Sequence, residues 1–197
     1  MGFSAATGGS TDNHDIEEWD FSASTGGVTA DLDSSLQFNG RAFKGLRLTP
    51  PSIFVGGSAF LDQIIAVDSD TSCSTQFQFK IHGGSGADGL AFMLHNHPDG
   101  TSALGALGGN VGYIGINPSL AVVLKTFAGE RVRIFQDSSM VSESVPSSSL
   151  RGTSQNMWVD YDGSANLLSV YLNQSGDAKP ASPILTHTVD LATLLGS

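Results

Sequence analysis

The chain has 197 residues, 40% of them apolar and 14% charged, with 24 glycines and a formal net charge of −10. That length suits one domain able to bury its own core. The charge excludes a nucleic-acid face, which needs clustered basic residues, and an anionic membrane surface, and it suits a neutral partner.

In chain order, the opening MGFSAATGG lacks the charged and apolar regions of a signal peptide. MGFSAA fits the loose N-myristoylation pattern, but reads better as a buried strand. Residues 14–24 (HDIEEWDFSAS) read as a strand with imperfect alternation, Ile16 and Glu18 against Glu17, Trp19 and Phe21. In Thr75–Ile81, Phe77, Phe79 and Ile81 point one way and the polar residues the other, the period of a half-buried strand. Gly89–Leu94 is nearly all apolar, as expected of a strand covered on both faces. Residues 120–127 and 131–136 read as a hairpin turning at Ala128-Gly129, and the Ser-rich stretch 138–154 as a loop or weak edge strand. Met157–Leu172 reads as a second hairpin with Gly163 near its tip. Asp190–Leu195 reads as one helical turn capped by Asp190. No stretch approaches the roughly 18 apolar residues of a membrane span. The elements predict an all-β domain over 1–197, two antiparallel sheets packed face to face.

Isolated reactive groups read as structural. Cys73 cannot form an internal disulfide and has no neighbouring His that would make it a nucleophile. Asp12-Asn13-His14-Asp15 could ligate a metal, but sits at a strand start. His95 and His97 would share a strand face, a weak zinc signal without a third ligand. A glycosidase on such a sandwich needs two carboxylates about 5–5.5 Å apart. The nearest match, Glu18-Trp19-Asp20, lacks the following Glu, and no G-x-S-x-G elbow occurs. The expectation is a protein that is not an enzyme.

Gly86-Ala87-Asp88-Gly89-Leu90-Ala91-Phe92-Met93-Leu94 resembles the ADG(L/I)AF signature of L-type lectins, the legume-lectin family. The following Asn96, Pro98, Gly100, Thr101, Ala103, Leu104, Gly105 and Leu107-Gly108-Gly109-Asn110-Val111-Gly112-Tyr113 resemble its bacterial branch. Asn117–Val122, Trp158–Gly163 with Leu168–Leu172, and Leu36–Phe60 resemble further strands of the family, so the likeness covers nearly the whole chain. It implies a concanavalin-like jelly-roll sandwich. One part is out of order: Gly2–Gly8, His14-Asp15-Ile16 and Trp19-Asp20-Phe21 resemble the family's last two strands, yet come first. The resemblance implies a circular permutation, with 1–25 as the family's C-terminal strands, 26–31 as a junction linker and 32–197 as the remainder.

The resemblance also implies non-covalent binding of a glycan or polysaccharide. Asp88 would accept from sugar hydroxyls, Gly108-Gly109 with Asn110 would supply backbone donors, and the loop Gly8-Gly9-Ser10-Thr11-Asp12 would tune specificity. Read alone, Asp88 is equally a turn-forming Asp before Gly. Phe127, Tyr113 and His95 are candidate stacking faces. The family's calcium and manganese ligands lie on a strand that reads Val122–Phe127 here, with Val123, Lys125 and Arg131 at ligand positions. Calcium needs six to eight oxygens, so no family-type metal pair and no other cofactor is expected, with Lys125 as a fixed charge in the ion's stead; calcium itself stays open. The family setting implies an extracellular or cell-surface location as an excised or processed domain, and edge strands near the new termini allow homodimers. A lectin-fold structural or adhesion module that has lost sugar binding is the other reading.

Overall fold

Alternating apolar and polar residues sort the strands into two sheets with one shared interior. The computed structural model describes residues 1–24, 36–43, 45–174 and 176–196; the expected junction linker at 26–31 lies outside them. The strands are β1 (Gly2–Ala6), β2 (Asn13–Ala23), β3 (Leu36–Gly40), β4 (Arg47–Thr49), β5 (Gly56–Leu61), β6 (Cys73–His82), β7 (Gly89–His95), β8 (Ser119–Lys125), β9 (Arg131–Gln136), β10 (Ser139–Ser144), β11 (Gln155–Asp162), β12 (Leu167–Asn173) and β13 (Leu185–Thr188). They are followed by a short helix, α1 (Leu191–Leu195), whose first turn is capped by Asp190 Oδ1 accepting from Thr193 N–H at 2.9 Å.

One sheet has seven strands in the order β10-β9-β8-β7-β1-β5-β3, and the other has six, β13-β12-β11-β6-β2-β4. Every pairing between these strands is antiparallel. This is the expected sandwich, and the two expected hairpins are β8–β9 and β11–β12. The Ser-rich stretch supplies β10, an edge strand.

Between the sheets lie Phe3, Trp19, Phe77 and Phe92, with Phe3 meeting Trp19 and Phe77 edge to face at 4.9 and 5.0 Å between ring centroids. The imperfect alternation of β2 has a physical cause. Its register against β6 shifts between Ile16 and Glu18, so Glu17 is the extra residue of a β-bulge. The bulge resets the phase, and Ile16, Trp19 and Phe21 all reach the core while Glu17, Glu18 and Asp20 stay exposed. Glu18 and Asp20, the nearest approach to a carboxylate pair, thus lie on the outer face of the sheet.

The seven-stranded sheet is covered on its second face too. Phe60, Ala91, Met93, Ala121 and Val123 pack there against Val111, Tyr113 and Ile116 of the long β7–β8 connection. That double cover explains the nearly unbroken apolar run of β7. β7 ends at His95, so His97 leaves the strand and does not share its face; the His97 N–H donates to His95 Nδ1 at 3.3 Å.

Candidate functional site

One rim of the seven-stranded sheet carries Asp88 and the glycine loops singled out in the sequence. Gly56, Ala6, Gly89, Lys125 and Arg131 form one cross-strand row along it. The loops 7–12, 84–88 and 126–130 adjoin this row, and 107–110 of the β7–β8 connection reaches it from the far end of the sheet. Gly89 starts β7 at φ +145°, and a Cβ there would lie 2.0 Å from the Leu124 carbonyl oxygen. Only glycine fits that close approach, which accounts for the Asp-Gly pair.

Asp88 precedes it, after a cis Ala87–Asp88 peptide. Its backbone is tied on both sides: Asp88 N–H donates to Ala6 O at 3.1 Å, and Thr126 N–H donates to Asp88 O at 2.9 Å. The side chain is 4% exposed, and its Oδ2 is buried without a hydrogen-bond partner. Burial pushes the carboxyl above its ordinary range, opposed by the positive charge of Lys125 and the Gly8 N–H. A buried acceptor left unpaired is a rare and costly state.

Glycines surround that oxygen. A methyl built on Gly8 would lie 2.9 Å from Asp88 Oδ2, and one on Gly108 3.8 Å from it. A methyl on Gly109 would meet Lys125 Nζ at 2.9 Å. The ammonium donates to Gly109 O at 2.9 Å, so Lys125 ties the end of β8 to the Gly-Gly loop. Burial lowers the Lys125 pKa, and Asp88 opposes that shift.

The structure therefore brings Asp88, Gly108 and Gly109 together, with Gly9, Ser10 and Thr11 on the adjoining loop. Gly9 is exposed and has open space around its Cα. Thr11 N–H donates to Ser85 Oγ at 3.1 Å and Thr11 O accepts from Gly86 N–H at 3.1 Å, joining the loop to the segment before Asp88. Asn110 departs from expectation: its N–H, assigned as a sugar donor, closes a tight turn on Leu107 O at 3.4 Å. Two candidate stacking faces also fail. Tyr113 is fully buried, hydrogen-bonded to Ser119 Oγ at 2.9 Å. His95 sits at the far end of β7 against Phe60, 4.5 Å between ring centroids. Phe127, 48% exposed and next to Thr126, remains at the rim.

The sequence offers Asp12 as the end of the specificity loop and as a possible metal ligand. Fully buried, it accepts from Arg151 Nε at 2.7 Å, Arg151 Nη2 at 2.8 Å, Gly84 N–H at 3.0 Å and Ala87 N–H at 3.2 Å. The rest of the Asp12–Asp15 cluster is structural. His14 is buried, 2.6 Å from Thr49 Oγ1, and Asp15 takes both Arg47 Nε at 2.7 Å and Arg47 Nη2 at 2.9 Å.

An antiparallel seven-on-six sandwich with a carboxylate in a glycine cradle at one rim defines a concanavalin-like jelly roll of the lectin class. A model of the legume lectin domain matches residues 32–197, and the chain belongs to that family. Among solved structures, it is similar in fold to a lectin from Bauhinia forficata in complex with GalNAc, with TM-score 0.70 and 24% identity over 83% of this chain and 82% of that one. It is similarly like the winged bean acidic lectin complexed with methyl-α-D-galactose, with TM-score 0.66 and 21% identity over 91% of this chain and 85% of that one. No curated protein matches.

Val123, Lys125 and Arg131, which the sequence resemblance sets at the family's metal-ligand positions, do not fit a divalent cation. Val123 is packed in the apolar cluster with Val111 and Tyr113, Lys125 presents an ammonium, and Arg131 presents a guanidinium that donates to Glu130 O at 2.7 Å. None offers an oxygen, and two repel a cation. Glu130, the acid left in the short β8–β9 loop, accepts from Ser149 Oγ at 2.8 Å and from Leu150 N–H at 3.0 Å.

Proposed function

We propose that this domain binds a neutral glycan without catalysing its cleavage, through the Asp88 carboxylate and the backbone of the Gly8 and Gly108-Gly109 loops. The observation that carries the reading is the unpaired, buried Asp88 Oδ2 beneath glycines. A sugar hydroxyl is a donor of the right size, and glycine loops let a pyranose edge approach the backbone. The positive charge of Lys125 opposes the rise that burial imposes on the carboxyl and so favours its charged form, the stronger hydrogen-bond acceptor. Phe127 offers an apolar face beside it. The matched family is one of carbohydrate-binding proteins, and the two similar structures hold GalNAc and methyl-α-D-galactose. The match to the legume lectin domain supports a non-enzymatic role.

The circular permutation is part of this reading. It is supported by a family match that begins at residue 32, and by β1 and β2 lying in the interior of their sheets.

One observation favours a structural module instead: Asp88 is 4% exposed, so Gly8 and Gly108 must part for a sugar to reach it. A glycan array probed with the wild type and with Asp88→Ala, in calcium and in EDTA, decides. Binding that survives EDTA and disappears in Asp88→Ala supports the proposal. Folded protein that binds nothing in either buffer overturns it in favour of the structural module.

A further inference from the structure

Loops that present a binding site need something to hold them. Val123, Lys125 and Arg131, which the sequence resemblance sets at metal-ligand positions, offer an ion no side-chain oxygen. The segment that precedes Asp88 is held by side chains of this chain.

Both oxygens of Asp12 are used twice. Oδ2 accepts from Arg151 Nε and Ala87 N–H, and Oδ1 from Arg151 Nη2 and Gly84 N–H, all between 2.7 and 3.2 Å. Arg151 Nη2 also donates to Gly84 O at 2.9 Å. The guanidinium thus grips the 84–87 segment through its carbonyl and through the carboxylate that holds its N–H groups. Arg151 is anchored in turn. It bridges Ile81 at the end of β6, and Gly152 N–H donates to Ile81 O at 2.9 Å. Glu130 fastens Ser149 and Leu150, the residues just before Arg151, to the β8–β9 loop. The ion pair, buried on its Asp12 side, therefore joins segments 8–12, 84–88 and 147–151 around Asp88, and Glu130 adds 126–130 to them.

We infer that the Asp12–Arg151 pair is the positioning device of the sugar site, fixing the Ala87–Asp88 segment by a bidentate guanidinium–carboxylate clamp and making that segment's order independent of divalent cations. The inference rests on the proposed sugar site only for its consequence for affinity; the ordering of the loop stands by itself. Arg151 and Asp12 are positioning residues, because neither offers the sugar an atom. A fork matters here as well as a charge: lysine keeps the charge but cannot make paired, planar contacts to both oxygens.

The test is amide hydrogen exchange on the full chain, wild type, Arg151→Lys and Asp12→Asn, each in EDTA and in excess calcium, with affinity for the best array glycan measured alongside. Exchange at Gly84, Ala87 and Asp88 should rise about tenfold or more in both variants. Exchange at Phe92 and Val122, inside β7 and β8, should stay as in wild type, which a general loss of stability would not allow. Wild-type exchange at 84–88 should be the same with calcium and with EDTA. Glycan affinity should fall by about tenfold in Arg151→Lys. Unchanged exchange at 84–88 in both variants overturns the inference, and so does added protection there on adding calcium. If the wild type binds no glycan, the sugar reading fails, and the exchange data alone support or overturn the clamp.

Discussion

A methyl group at position 8 would sit 2.9 Å from Asp88 Oδ2, closer than real side-chain carbons approach. Gly8→Ala should therefore push the carboxylate out of place and weaken glycan binding by about tenfold or more, roughly 1.4 kcal/mol. Gly9→Ala, with nothing within 4 Å, should leave folding intact, and calorimetric titration of the two variants against one glycan checks the contrast. The same carboxyl sets a pH dependence. Its pKa is raised by burial, so on acidification it takes a proton at a higher pH than an ordinary Asp and ceases to be a charged acceptor. Affinity should fall as pH drops through that raised value and recover on return to neutrality. A flat profile down to about pH 4 would show that Asp88 is not the acceptor. Asp88, Gly108 and Gly109 were legible because a short contiguous motif carries each of them. Arg151 was not: it lies 139 residues from Asp12, in a Ser-rich stretch without periodicity, and only the fold brings the two together. The motif carries Asn110 too, but does not say that its N–H is turned onto Leu107 O.

At the scale of elements, β1 is short but central. Phe3 alone touches the rings of Trp19, Phe77 and Phe92, joining β2, β6 and β7 across both sheets. Phe3→Ala should cost roughly 3–5 kcal/mol, read as a lower urea midpoint with the fold retained or as failure to fold. β2 adds an acid sensitivity. His14 is fully buried, and desolvation pushes its pKa from 6.5 down to about 4. Between those values the unfolded chain binds a proton that the native state refuses, so stability falls as pH falls. The loss approaches 1.36 kcal/mol per pH unit, or about 2 kcal/mol between pH 6.5 and 5. Urea midpoints at about pH 7 and pH 5 should show at least that drop, and His14→Gln should reduce it without abolishing it, because burial also lowers the His95 pKa to about 4. Strand positions were legible from period-2 alternation, as in β6, and from the apolar run of β7. The phase of β2 was not, because a bulge resets alternation without any marker residue: Glu17 looks like its neighbour Glu18. The His95–His97 pair was misplaced for a similar reason, since alternation alone does not say where β7 stops.

For the whole molecule, the order of segments is the open question, and the geometry around the termini makes it testable. Met1, Leu191 and Leu195 line one cavity of about 540 Å³ at the sheet end opposite Asp88. Met1 O accepts from Leu61 N–H at 2.9 Å, and Leu195 O accepts from Asn96 Nδ2 at 2.9 Å. The two chain ends are thus each fastened to the same end of the sandwich, the arrangement in which joining them requires little rearrangement. If the chain is a permuted form of the family order, a variant with Ser197 joined to Met1 by a short Gly-Ser linker and new ends between Gly26 and Gly27 should fold to the same sandwich. It would begin on the segment leading to β3 and end on β1 and β2. Because β1 pairs with both β5 and β7, and β2 with β4 and β6, folding of the variant requires both strands to insert last in sequence yet centrally in space. Its Tm should lie within a few degrees of the present chain, and its glycan-array profile should be the same. A variant that stays unfolded, with the linker lengthened to remove closure strain, would mean that residues 25–35 do more than join two halves, and the permuted reading of this chain would fall.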